Sequence, residues 1–190
     1  MVKNRPTVAL FGGSFDPPHK GHQAIVNTVA ALDDIDKVII MPAFLNPFKK
    51  ATLASASVRL EWCRKVCDDP RVIVSDFETS QGRPVYTIET IEALQEAYRV
   101  KYLVIGSDNL AQIEKWHEFD RLNTMLTWLV FTRGEEKPDC HKLKHCKVLS
   151  LDMPISSTEI RNGTCLEHVD KCILNEVKDT MIEHKDNHDH

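Results

Sequence analysis

Apolar residues in this chain fall into short continuous runs, separated by stretches in which they recur every three or four positions. The runs Thr7–Phe11, Lys37–Met41, Val72–Ser75, Tyr102–Ile105, Trp128–Phe131 and Val148–Leu151 predict six strands. Continuous rather than alternating hydrophobicity is what a strand covered on both faces requires. Helical spacing predicts helices over Gln23–Leu32, Ser57–Cys67, Tyr86–Tyr98 and Leu166–Ile182. Their inward stripes are expected to be Val58, Trp62 and Val66 in the second, and Ile88, Ile91 and Leu94 in the third. The last buries Val169, Cys172, Ile173, Val177 and Met181. Strands alternating with helices indicate an α/β fold: one Rossmann-like, doubly wound domain with a mostly parallel sheet and a C-terminal helical segment. The reading divides the chain into a core over 7–163, a C-terminal helix over 164–183 and a polar, frayed tail over 184–190. Two long connections, Pro42 to Ala56 and Asp76 to Val85, are expected to shape a site.

Length fits this picture: 190 residues make one α/β domain with a core that needs no disulfide or metal. Net charge is -4, so bulk electrostatic binding to nucleic acid or an anionic membrane is not expected. Any anion site must be a local concentration of positive groups. No apolar run reaches membrane-spanning length, and the first residues lead straight into a strand without a signal-peptide pattern, so a cytoplasmic protein is expected. The six cysteines are then free thiols. Cys63 and Cys67, one helical turn apart, read as small core residues. The set Cys140, His141, His145 and Cys146 offers zinc-type donors, but its spacing matches no familiar finger and its place between two strands suits an ordinary loop.

The chemistry concentrates in two places. After the first strand comes Gly12-Gly13-Ser14-Phe15-Asp16-Pro17-Pro18-His19-Lys20-Gly21-His22. Glycines there let backbone N–H groups approach a bulky anion, and the following helix start favours negative charge. Two histidines around a glycine at that point suit phosphate handling. Late in the chain, Ile155-Ser156-Ser157-Thr158-Glu159-Ile160-Arg161 reads as a strand exit into a helix. Ser156 and Glu159 have the spacing of a capping box, and Arg161 on the first turn is placed to grip phosphate oxygens.

Together these two segments resemble the His-x-Gly-His and Ser-Ser-Thr-x-x-Arg signatures of the nucleotidylyltransferase superfamily. Three further segments resemble bacterial nicotinate-nucleotide adenylyltransferases: Pro84 to Ile91 with its Tyr86-Thr87 step, Ile105 to Leu110 followed by Glu114-Lys115-Trp116-His117, and Asn46-Pro47-Phe48-Lys49. The likeness spans residues 7 to 163. It implies adenylyl transfer from ATP to nicotinate mononucleotide, giving nicotinate adenine dinucleotide and pyrophosphate. It also implies roles. His19, His22, Lys49 and Arg161 act on the phosphates. Gly12, Gly13, Ser14, Phe15, Gly106, Asp108, Ile155, Ser156, Ser157 and Thr158 bind ATP. Tyr86, Thr87 and Trp116 bind the nicotinate nucleotide, with Trp116 stacked on its ring. Mg²⁺ is the implied cofactor, held by phosphates and water rather than a protein cage. A monomer or homodimer, without nucleic acid or membrane partners, fits this reading.

The likeness has departures. Phe48 stands where many relatives have histidine, and His117 where an aromatic such as tyrosine is common. Simpler readings remain beside the functional ones: Thr87 or Asp108 as a helix cap, Trp116 as a core aromatic, Lys49 as a solvated charge. Rival functions are a phosphopantetheine adenylyltransferase, a nicotinamide-preferring relative, a nucleotide sensor without turnover, and a zinc-binding interaction protein.

Overall fold

All six predicted strands are present, in one wholly parallel sheet of order β3-β2-β1-β4-β5-β6. The computed structural model describes residues 5–46, 51–133, 137–151, 153 and 155–186. The strands are β1 (Thr7–Gly13), β2 (Lys37–Pro42), β3 (Val72–Val74), β4 (Arg99–Gly106), β5 (Thr127–Arg133) and β6 (Cys146–Leu151). The helices are α1 (Lys20–Ala30), α2 (Ala56–Val66), α3 (Phe77–Ser80), α4 (Thr87–Leu94), α5 (Phe119–Met125), α6 (Ser157–Arg161) and α7 (Leu174–Asp186). Strand order reverses between β1 and β4, which both leave the sheet toward the same crevice.

Side-chain alternation explains why the strands read as unbroken apolar runs. Val8 and Leu10 of β1 join Ile88, Ile91 and Leu94 of α4 on one face. Ala9 and Phe11 join Val26 and Val29 of α1 on the other. Both faces are therefore sheltered, and no position along the strand is free to be polar. A third cluster joins Trp62 of α2 to Ile160 of α6 and to Val177 and Met181 of α7, so the chain's end closes over the second helix. Among the described residues, no helix is long and apolar enough to cross a membrane.

Several predicted helices differ in detail. The first starts at Lys20 rather than Gln23, which makes His19 its N-cap position. In α2 the buried residues are Arg59, Leu60, Trp62 and Cys63, while Val58 is 38% exposed and Val66 half-buried. The third helix covers only Thr87–Leu94 of the predicted Tyr86–Tyr98. The helix predicted over Leu166–Ile182 is broken into a 3-10 turn at Leu166–His168 and α7 from Leu174. The break has a local cause: the Asp170 carboxylate accepts the Cys172 N–H at 3.0 Å, a side-chain bond that competes with helical pairing. Cys172 is consequently exposed rather than buried. The predicted tail from 184 is still helical through Asp186.

Candidate active site

A cavity of about 530 Å³ opens beyond the carboxyl ends of β1 and β4, at the reversal of strand order. Its wall contains Gly12, Gly13, Ser14 and Phe15 from the β1 exit, and His19 and His22 from the start of α1. Tyr86 and Thr87 come from the start of α4, Gly106, Asp108 and Trp116 from the segment after β4, and Ile155 and Ser157 from the late signature. Residues more than a hundred positions apart thus meet in one crevice. Ser156, Thr158 and Arg161 belong to the neighbouring turn and do not line it. Phe48 and Lys49 lie outside the described residues.

The β1–α1 turn is shaped by a buried aromatic. Phe15 takes a left-handed backbone conformation, φ 48°, which a non-glycine residue holds only when its surroundings over-determine it. Here its ring is buried edge-on to Phe11 at 5.3 Å and lies 4.9 Å from the His22 ring. His19 and His22 stack with ring centroids 3.7 Å apart. The His19 N–H donates to His22 Nδ1 at 3.2 Å. In a neutral His22 ring the proton therefore sits on Nε2. Gly21 leaves room for the His19 ring: a Cβ there would meet that ring at 3.0 Å, closer than ordinary van der Waals contact. The first turn of α1 lines the cavity, so the positive end of its dipole faces the contents.

The late signature locks onto this turn. Ser156 caps α6 by accepting from the Glu159 N–H at 3.2 Å, and Glu159 Oε2 accepts from the Ser156 N–H at 2.9 Å, as the spacing predicts. Ser157 Oγ donates to the Pro17 carbonyl at 3.0 Å. Arg161 donates to the Asp16 carbonyl at 2.7 Å and to Thr158 Oγ1 at 3.0 Å. Two of the five guanidinium donors are thereby engaged. The Asp16 carboxylate, buried, accepts from the N–H groups of Leu53 and Ala54 at 2.8 and 3.0 Å.

Arg59 is the strongest structural surprise. It is fully buried, and donates to the carbonyls of Ala54, Ser14 and Phe44 at 3.1, 2.6 and 2.7 Å. One side chain thus joins the glycine turn to both ends of the Pro42–Ala56 connection. Burial lowers its pKa, opposed by the Asp16 carboxylate.

The opposite wall holds the aromatic pair Tyr86 and His117, stacked at 4.5 Å with both rings partly exposed. Tyr86, not Thr87, occupies the N-cap position of α4, and its N–H donates to Glu89 Oε2 at 2.9 Å. Arg83 pairs with Glu89 at 2.7 Å and, with that N–H, holds the Glu89 carboxyl below its usual range. Trp116 is half-buried and packs edge-on to Trp128 at 6.0 Å, so it is both a core aromatic and a cavity wall. A 3-10 segment starts at Ser107, and Asp108 makes no capping bond to it. A Cβ on Gly106 would meet Asp108 Oδ1 at 2.4 Å, so glycine there leaves room for the carboxylate.

Sequence reasoning missed Glu78 in the cavity wall, and gave no role to Asn109 and Lys115, which line that wall from segments it had singled out. Glu78 carries a signal only in hindsight, as a carboxyl within the Asp76–Val85 connection. Away from the cavity, His141 turns to Asp139 at 2.6 Å. Cys140 and Cys146 are neighbours, and burial with that thiol contact pushes the Cys146 thiol up to about 12. Among the described residues no three His, Cys, Asp or Glu side chains gather as a metal-binding group.

Residues 10–163 match the family model described as cytidylyltransferase-like. The chain is 46% identical over 185 residues to a probable nicotinate-nucleotide adenylyltransferase of Sulfurovum sp. (strain NBC37-1), covering 97% of this chain and 98% of that one. It is 47% identical over 175 residues to a probable nicotinate-nucleotide adenylyltransferase of Sulfurimonas denitrificans, covering 91% and 93%. Among solved structures it is similar to the Plasmodium falciparum nicotinic acid mononucleotide adenylyltransferase complexed with NaAD. The TM-score is 0.72 at 20% identity, over 94% of this chain and 95% of that one, a likeness of fold.

Proposed function

The chain belongs to the cytidylyltransferase-like family and, within it, to the nicotinate-nucleotide adenylyltransferases, and from that premise we propose how its cavity works. The reaction moves the adenylyl group of ATP to nicotinate mononucleotide, releasing pyrophosphate and forming nicotinate adenine dinucleotide in NAD biosynthesis. The observation that carries the site assignment is the meeting of the His19–His22 stack with Tyr86, Thr87 and Trp116 around one cavity large enough for nucleotides.

A phosphate oxygen of nicotinate mononucleotide attacks the α-phosphorus of ATP, and the bond from that phosphorus to the β-phosphate bridging oxygen breaks. The nucleophile is already an anion, so no general base and no covalent intermediate are needed. The barrier falls by alignment and by donors aimed at the charge that develops. His22 Nε2–H is such a donor, with His19 fixing the ring through its own N–H. Gly12, Gly13, Ser14 and Phe15 place the β1 exit between the two nucleotides. Gly106 and Asp108 face ATP, as do Ile155 and Ser157. Ser156, Thr158 and Arg161 hold that wall, and Arg161 reaches phosphate from the rim with its remaining donors. Lys49 holds phosphate from the Pro42–Ala56 connection. Tyr86 and Thr87 receive the pyridine carboxylate, and the Trp116 face receives the cationic ring.

Nucleotidyl transfer in this family takes a divalent cation with ATP. We assign it to Mg²⁺, which brings charge neutralisation to the triphosphate. In this reading the ion is carried by phosphate oxygens and water rather than by a protein cage. We assign the protein to the cytoplasm. Pyrophosphate release should begin when Mg²⁺ is added to ATP and nicotinate mononucleotide, and stop with EDTA. Equilibrium dialysis of the protein alone should show no tightly held Mg²⁺; a stoichiometric, nucleotide-independent ion would overturn this assignment.

A further inference from the structure

Glu78 is a buried carboxyl in the cavity wall that the transfer chemistry does not use. It stands in α3, only 8% exposed, and shares that wall with Tyr86 and Thr87. Its Oε1 accepts from Thr90 Oγ1 at 2.6 Å. Thr90 is fully buried in α4, the helix whose start carries Tyr86 and Thr87. The Glu78–Thr90 bond therefore ties α3 to α4 and sets how the α4 N-terminus meets the cavity.

The charges around Glu78 do not neutralise it. From α4 the ionisable group acting on it is Glu89, of the same sign and already paired with Arg83. Asp76, just before α3, faces Arg64 of α2 at 3.7 Å. On β2, which packs on α3, the ionisable residue is Lys37 at the start of the strand, donating to the Pro70 carbonyl. His117, stacked on Tyr86, has Glu118 at 3.6 Å. Burial, helped by Glu89 and opposed by the Thr90 hydroxyl, pushes the Glu78 carboxyl up to about 7.

We propose that Glu78 is a proton-linked positioning residue: it takes up a proton when the acidic mononucleotide binds, so that α4 stays tied through Thr90 without a second negative charge facing the pyridine carboxylate. This rests on the reading that the carboxylate sits at Tyr86 and Thr87. A carboxylate brought into a shielded cavity beside another raises the proton affinity of its neighbour. Linkage makes the effect reciprocal, so protonated Glu78 favours the acidic nucleotide by the same factor. Above about pH 7 the free enzyme has lost this proton, and each further pH unit weakens binding by up to about tenfold.

The test is calorimetric binding of nicotinate mononucleotide at about pH 7.5, in two phosphate-free buffers of different ionisation enthalpy. Wild type is expected to take up roughly half a proton more per nucleotide than Glu78→Gln. The nucleotide's own phosphate contributes equally to both proteins. The Thr90→Val variant, which loses the hydroxyl that favours ionised Glu78, should show uptake lower than wild type at the same pH. Nicotinamide mononucleotide, without the carboxylate, should bind with no uptake dependent on Glu78. Equal uptake in wild type, Glu78→Gln and Thr90→Val, with acid binding intact, overturns the proposal alone. Indistinguishable binding of acid and amide nucleotides overturns the carboxylate reading and the proposal together.

Discussion

Replacing His22 with alanine is expected to lower turnover by about 10²–10³-fold while leaving the fold intact. The imidazole is held on two sides. Its Nδ1 accepts the His19 N–H, and its ring lies against Phe15 and the His19 ring. In the proposed site a ring fixed in this way donates Nε2–H to a phosphate without having to reorganise, and that preorganisation is lost with the side chain. The structural cost is small, because His22 is only partly buried and its removal deprives the His19 N–H of one acceptor, worth about 1 kcal/mol. Steady-state kinetics beside a thermal melt separates the two effects. Wild-type turnover in His22→Ala would remove His22 from the chemistry.

Arg59→Met is expected to act the other way, on stability first, by about 3–5 kcal/mol. Methionine fills much of the volume but leaves the carbonyls of Ser14, Phe44 and Ala54 without their donor, and leaves buried Asp16 beside one cation fewer. Unsatisfied buried acceptors cost about 1–3 kcal/mol each when water cannot reach them. The melting temperature should fall by at least about 6 °C, taking about 2 °C per kcal/mol for a chain of this size. Activity of the surviving folded fraction should fall too, since Ser14 is in the cavity wall. A loss below about 1 kcal/mol by chemical denaturation would mean that water replaces the guanidinium, and that Arg59 does not hold the site together.

What the sequence revealed and what it hid follow from range of interaction. The strands were legible because burial on both faces leaves its mark position by position, as in Val8 to Phe11. The two signatures were legible because their spacing is local: Ser156 caps Glu159 three residues on, and Gly21 sits beside the ring it makes room for. Arg59 was hidden because its three partners lie in segments that no periodicity connects. The stripe Val58–Trp62–Val66 looked complete without it, yet Val58 faces outward and Arg59 inward. Glu78 was hidden in the same way, since its hydrogen-bond partner Thr90 lies twelve residues later. The broken C-terminal helix shows the reverse error. Val169, Ile173 and Val177 do pack in one cluster at helical spacing, but the Asp170 side chain takes the backbone out of the helix between them. Apolar periodicity reported the burial correctly and the backbone wrongly.

The central claim is that this cavity selects nicotinate mononucleotide as the acceptor of an adenylyl group. The direct measurement is pyrophosphate release from ATP and Mg²⁺, with nicotinate mononucleotide, nicotinamide mononucleotide and phosphopantetheine tested in parallel. A strong preference for nicotinate mononucleotide is the predicted result. Preference for either of the other acceptors would leave the fold and the phosphate turn standing, and would contradict the assignment of Tyr86, Thr87 and Trp116 to the nicotinate nucleotide.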